Sequence, residues 1–78
     1  MFKNHVIAEH MVTSEIECGH LCMHESKCVS FNYEEYGESL PHVCEISDDK
    51  QQNDPLSMIG MDGFSYFELE VNHLIFNL

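Results

Sequence analysis

Arginine is missing from this chain, and lysine occurs only at Lys3, Lys27 and Lys50. Against 3 cations stand 14 acidic residues, giving a formal net charge of −11. Nucleic-acid binding needs a basic face that displaces counterions from phosphate, and three scattered lysines do not build one. The same deficit disfavours heparin-like polyanions and anionic membrane surfaces. The acids are expected to form a solvated surface that keeps the domain soluble. They leave a basic protein patch, a neutral sugar or a cation as chemically compatible partners. No apolar run approaches the roughly 18–20 residues of a bilayer span, so membrane insertion is not expected. The N-terminal Met1-Phe2-Lys3-Asn4-His5 lacks the apolar core of a secretory signal peptide. The expectation is therefore one module of a longer chain, or a truncated gene model. Asn-x-Ser/Thr acceptors are absent as well.

Catalytic grammar is missing too. There is no G-x-S-x-G, no H-E-x-x-H and no glycine loop to cradle phosphate. The acidic pairs Glu34-Glu35 and Asp48-Asp49 lie in polar stretches, where nothing shifts a carboxyl toward acid–base work. Asp48-Asp49 with Asp54 offers oxygen ligands, but without the spacing or glycine of an EF-hand loop. The chain is read as non-enzymatic, with no cofactor and no metal.

What the sequence does contain is four cysteines, Cys18, Cys22, Cys28 and Cys44, in the pattern C-x3-C-x5-C-x15-C. A chain of 78 residues is one small domain, and such a domain buries only about 60% of the surface its unfolded form exposes. Cross-links are the usual supplement, each contributing roughly 2–5 kcal/mol. A strand is expected around His5–Ala8, where β-branched residues cluster. Ser14-Glu15-Ile16-Glu17 matches a capping box, with Ser14 accepting from the Glu17 amide and Glu17 reaching back to the Ser14 amide. A helix should follow over Glu15–Glu25, with Ile16, Cys18, Leu21 and Cys22 on its apolar stripe. Cys28–Tyr33 and Val43–Ile46 read as strands. Ser47–Gly60 reads as a long polar loop draped over the fold. Phe64–Val71 alternates dry Phe67, Leu69 and Val71 with wet Glu68 and Glu70. The strands must pair largely antiparallel, so the class is α+β with a helix stapled to a sheet.

Cys18 and Cys22 are one helical turn apart and point the same way, which disfavours a bond between them. Two pairings remain: Cys18–Cys44 with Cys22–Cys28, or Cys18–Cys28 with Cys22–Cys44. Loop-closure entropy sums to about 6 kcal/mol for either set and does not choose. The rival use of these sulfurs is zinc, with His20 and His24 interleaved one turn apart. That alternative, a small intracellular Cys/His zinc domain, lacks the C-x2-C knuckle of such modules.

Several segments taken together resemble the PAN/apple family: N-H-V-I (Asn4–Ile7), V-T-S-E-I-E-C (Val12–Cys18), the C-x3-C step and C-V-S-F-N-Y (Cys28–Tyr33). To these add C-E-I (Cys44–Ile46), the polar loop with Pro55, and G-F-S-Y-F-E (Gly63–Glu68). The resemblance runs from Asn4 to Glu68. It implies a curved antiparallel sheet cradling one helix, with Cys18–Cys44 and Cys22–Cys28 as the two bridges of the four-cysteine branch. Residues 1–70 would form the domain and residues 71–78 a tail or final strand. It further implies an extracellular, non-catalytic module that binds protein or carbohydrate through loops and the open face of its sheet. Family binding surfaces vary, so no ligand residue carries over. Tyr36, in an acidic turn, is the weak candidate from the residues themselves, while Tyr33, Phe64, Tyr66 and Phe67 are expected in the core.

Overall fold

A computed structural model of the chain describes residues 1–35, 41–60 and 63–69. Four strands and one helix appear in the order β1 (Val6–Val12), α1 (Glu15–His24), β2 (Ser30–Glu34), β3 (His42–Ser47) and β4 (Phe64–Glu68). A 3-10 turn at Pro55–Ser57 interrupts the loop between β3 and β4. The strands form one antiparallel sheet in the spatial order β1-β3-β2-β4. The helix lies across one face of it. This is the α+β architecture expected, and β1, β3 and β2 differ from expectation mainly in their ends.

The helix starts where its sequence says it should. Ser14 is extended and its hydroxyl accepts from the Glu17 amide at 3.2 Å, satisfying one of the orphan donors of the first turn. Glu17 does not close the expected capping box on Ser14. Its carboxylate reaches one residue further back and accepts from both the amide (2.8 Å) and the hydroxyl (3.0 Å) of Thr13. Two donors at one residue outcompete the single Ser14 amide. The Thr13 amide bond is the main reason the Glu17 carboxyl is held below its ordinary value.

Cys18 and Cys22 face the sheet and are fully buried. Cys18 is bonded to Cys44 of β3, and Cys22 to Cys28, in the segment leading into β2. The bridges thus tie one helix face to the centre and one end of the sheet. Val12, Phe31, Tyr33 and Ile46 complete the buried cluster, with Ala8, Leu21, Phe67 and Leu69 packed at its margin. Gly19 passes over the Phe31 ring, where a β-carbon would stand 3.6 Å from Phe31 Cζ. Phe31 in turn stacks on Phe67 across the β2–β4 pairing, with ring centroids 5.1 Å apart.

Ile16 departs from expectation. The apolar stripe of the sequence includes it, yet it is 71% exposed. Residues two apart on a helix do not share a face, so Ile16 points away from Cys18 and shares the solvent side with the exposed His20 and Met23. The expected extension of β4 to Val71 and the tail at 71–78 lie outside the described residues.

The second face of the sheet has a cover of its own. Residues Met1–His5 run along the polar loop 48–60, paired through Phe2–Met58. The Lys3 amide donates to the Ser57 carbonyl (3.0 Å) and the Ile59 amide to the Met1 carbonyl (2.9 Å). Asn4 takes a left-handed φ of 76°, a conformation asparagine tolerates better than most residues. This N-terminal strap seats Phe2, with no exposed surface, against the sheet.

Candidate functional site

Strand alternation assigns the two faces. Cys44 and Ile46 point toward the helix, so Val43, Glu45 and Ser47 point away from it. Their register partners share that outer face: Met11 beside Val43, Glu9 beside Glu45, Val6 beside Ser47. Across β2 and β4 the Glu9–Glu45 row continues into Asn32 and Tyr66. Among the described residues, one half of this face is covered and the other is not.

The sealed half centres on Asn32, which is fully buried. Its Oδ1 accepts from the Phe2 amide at 2.8 Å, and its Nδ2 donates to the Phe2 carbonyl at 2.8 Å and to Glu45 Oε1 at 3.1 Å. The amide side chain thus pairs with the strap as a neighbouring strand would. Phe2 stacks on His5 (centroids 5.2 Å apart) and tilts against Tyr66 (5.6 Å). Ser30, also buried, donates to the Asp49 carbonyl at 2.6 Å.

His5 clasps the strap to the loop. Its Nε2 lies 2.8 Å from Asp54 Oδ2, and its Nδ1 lies 3.9 Å from Asp48 and 4.0 Å from Asp49. The Asp54 hydrogen bond is the main cause that raises the His5 pKa. The Asp54 carboxyl is held below its ordinary value first by the Ser57 hydroxyl (2.7 Å) and then by His5. Asp49 is lowered chiefly by Asn53 (2.6 Å) and by the Lys50 amide. The three acids read in the sequence as oxygen ligands are therefore gathered around an imidazole. Two of them are engaged by neighbouring donors.

The open half is the β1 margin. Glu9 and Glu45 stand directly opposite each other across the β1–β3 pair, an arrangement that costs stability in an antiparallel sheet. Burial raises the Glu45 pKa, the Asn32 amide opposes that, and the Glu9 charge adds to it. Next to this pair lie Met11, 55% exposed, and Val43. Val6 and Ile7 are 38% and 42% exposed. Among the described residues, half of the exposed large apolar side chains thus sit on one edge strand. A β-bulge between Val6 and Ala8 inserts Ile7 as an extra residue at its start.

The residues singled out in the sequence separate clearly. All four cysteines are in bridges, so no thiolate remains beside His20 and His24, both exposed. Glu34 accepts from the Val43 amide at 3.1 Å and stabilises the β2–β3 pair. Tyr33 is buried and Phe67 is packed against the core, while Phe64 and Tyr66 are half-buried on the outer face. The Tyr66 ring meets Phe2, and its hydroxyl accepts from the Gln51 amide and donates to Glu68. The weak candidate Tyr36 lies outside the described residues. Sequence reasoning missed Phe2 and Asn32. It also expected an open sheet face, whereas the strap closes half of it. No helix among the described residues is long and apolar enough to cross a membrane.

Comparison with family models finds a match to the PAN domain over residues 1–71. The comparison with curated proteins returns no match, and neither does the comparison with solved structures.

Proposed function

Because the chain belongs to the PAN domain family, we propose that it is an extracellular, non-catalytic recognition module within a larger secreted or cell-surface protein. PAN domains are protein- and carbohydrate-binding modules, and in general they are not catalysts. The observation that carries the reading is the division of labour in the scaffold. Two disulfides fix the helix face and a clasped strap seals half of the outer face. Among the described residues, the β1 margin is left uncovered on a cross-linked sheet. Bridges of this kind fit an oxidising compartment. A protein ligand suits the β1 margin, where carboxylates and apolar side chains lie along an edge strand.

The test is secretion of the module from eukaryotic cells, followed by an ectodomain array and a glycan array. Native material should weigh about 4 Da less than reduced material, and any ligand captured should be lost on reduction. Four reactive thiols in the native protein would refute the reading. So would empty arrays from correctly bridged material.

A further inference from the structure

Taking the chain as a binding module, we infer that the edge of β1 accepts an extended segment of a partner protein, one carrying a basic residue and an apolar residue two positions apart. β1 ends the sheet order and, among the described residues, pairs only with β3. An edge strand presents a row of backbone donors and acceptors ready for one more strand. The bulge at Val6/Ala8 disturbs the start of that edge and leaves Ala8–Val12 as its regular part.

Side chains then dictate what the added strand must carry. On the outer face, the row Tyr66–Asn32–Glu45–Glu9 ends in two opposed carboxylates. The next position in that row is the place for a lysine or arginine. It would relieve the like-charge pair, which lies in a partly desolvated setting. The neighbouring row ends at Val43 and Met11, and the next position there would cover exposed apolar surface. Both positions lie on one face of the incoming strand, two residues apart, as strand geometry requires. A second copy of this chain is the wrong occupant. It would bring its own net charge of −11, and an antiparallel β1–β1 pair centred on the strand would set Glu9 against Glu9.

The probe is the acetylated and amidated peptide Thr-Val-Thr-Lys-Thr-Val-Thr, titrated into the isotope-labelled chain at about 0.15 M salt, where long-range charge attraction is screened. Two control peptides replace its lysine with glutamate, or carry a methyl group on the lysine's backbone nitrogen, which faces β1 when the lysine stands beside Glu9. The expected result is saturable shifts in β1, with at least tenfold slower exchange of the Glu9 and Met11 amides, which face away from β3. The N-methyl and glutamate controls, and the variants Met11→Lys and Glu9→Lys, should each weaken binding at least tenfold. These two side chains are exposed, so the variants should keep the wild-type fold. Equal binding of the N-methylated peptide would mean charge attraction alone and would overturn the assignment. So would protection of the edge-facing Glu9 and Met11 amides without peptide, whether by a second copy in a concentration-dependent way or by residues 70–78. If an array ligand binds Met11→Lys and wild type equally, the edge assignment falls while the module reading stands. If no array ligand exists but the peptide adds to β1, the reverse holds.

Discussion

Exchanging one atom at the centre of the sheet should decide whether the strap is part of the fold. In Asn32→Asp the amide nitrogen becomes an oxygen, with no change in shape. The Phe2 amide keeps its acceptor. The Phe2 carbonyl, 2.8 Å away, and Glu45 Oε1, 3.1 Å away, both lose their donor and face an acceptor instead. A buried carbonyl left without a partner costs about 1–3 kcal/mol, and a hydrogen bond to a charged group is worth about 1.5–3 kcal/mol. The expected loss at neutral pH is therefore about 3–5 kcal/mol, a large part of the roughly 4–12 kcal/mol typical of a chain this long. The pH dependence supplies the sign test. Burial and the neighbouring Glu45 would raise the new carboxyl's folded pKa above its unfolded value of about 3.9. The penalty is then complete above the folded pKa and shrinks as pH falls through it, because the protonated group regains a donor. Urea melts of wild type, Asn32→Asp and Asn32→Ala at pH of about 7 and about 4 measure this. Only the aspartate should recover at low pH relative to wild type. If Asn32→Asp lies within about 0.5 kcal/mol of wild type at neutral pH, or follows the pH course of Asn32→Ala, then Asn32 does not hold the strap.

The His5 clasp has its own window. A raised histidine pKa means that its contribution is full below the ordinary imidazole range and is lost as pH rises through the folded value. A lowered Asp54 pKa means that its contribution is lost as pH falls through that folded value. The Lys3 amide should therefore exchange more slowly at mildly acidic than at alkaline pH, after correction for intrinsic rates. His5→Gln should abolish the difference, and an unchanged difference would exclude the clasp. Replacing Cys18–Cys44 by alanines should cost about 1 kcal/mol more than replacing Cys22–Cys28, because the bridges close loops of 26 and 6 residues. Denaturant melts giving the opposite order would contradict the chain-entropy account. Ile16→Gln should shift stability by no more than about 0.5 kcal/mol, since the side chain is solvated. A loss of about 2 kcal/mol would mean that Ile16 packs after all.

The legible parts were those governed by local period and local chemistry. Phe31, Tyr33, Cys44 and Ile46 alternate within short β-rich runs, and the structure turns all four toward the helix. Ser14 and the two acids after it marked the helix start to the residue. Ile16 misled because a broad apolar stripe was allowed to span residues two apart. The outer face misled for a different reason. Ser30 and Asn32 are polar residues alternating with aromatics, which is the local signature of a wet face. Asn32 is covered by Phe2, thirty positions away, and Ser30 donates to Asp49, nineteen positions away; no local pattern reports such contacts. The strand order was illegible on the same grounds. It is set by pairings between β1 and β3 across the helix, not by either segment alone.

The insertion of β3 between β1 and β2 sets a timetable for oxidation. As the chain emerges from its N-terminus, Cys18, Cys22 and Cys28 are available while β3 and Cys44 are still to come. The short staple at the end of the helix can close at once. Cys18 must wait as an odd thiol on an exposed helix face; if the staple has not yet formed, Cys22 and Cys28 are both open to it, and the helix disfavours Cys22. Wherever oxidation keeps pace with synthesis, any product that stops before Cys44 carries that thiol outward, open to a mixed disulfide with a neighbouring chain. Full-length chains bury it behind β3, so quality control by thiol capture would separate finished from unfinished modules at this one sulfur.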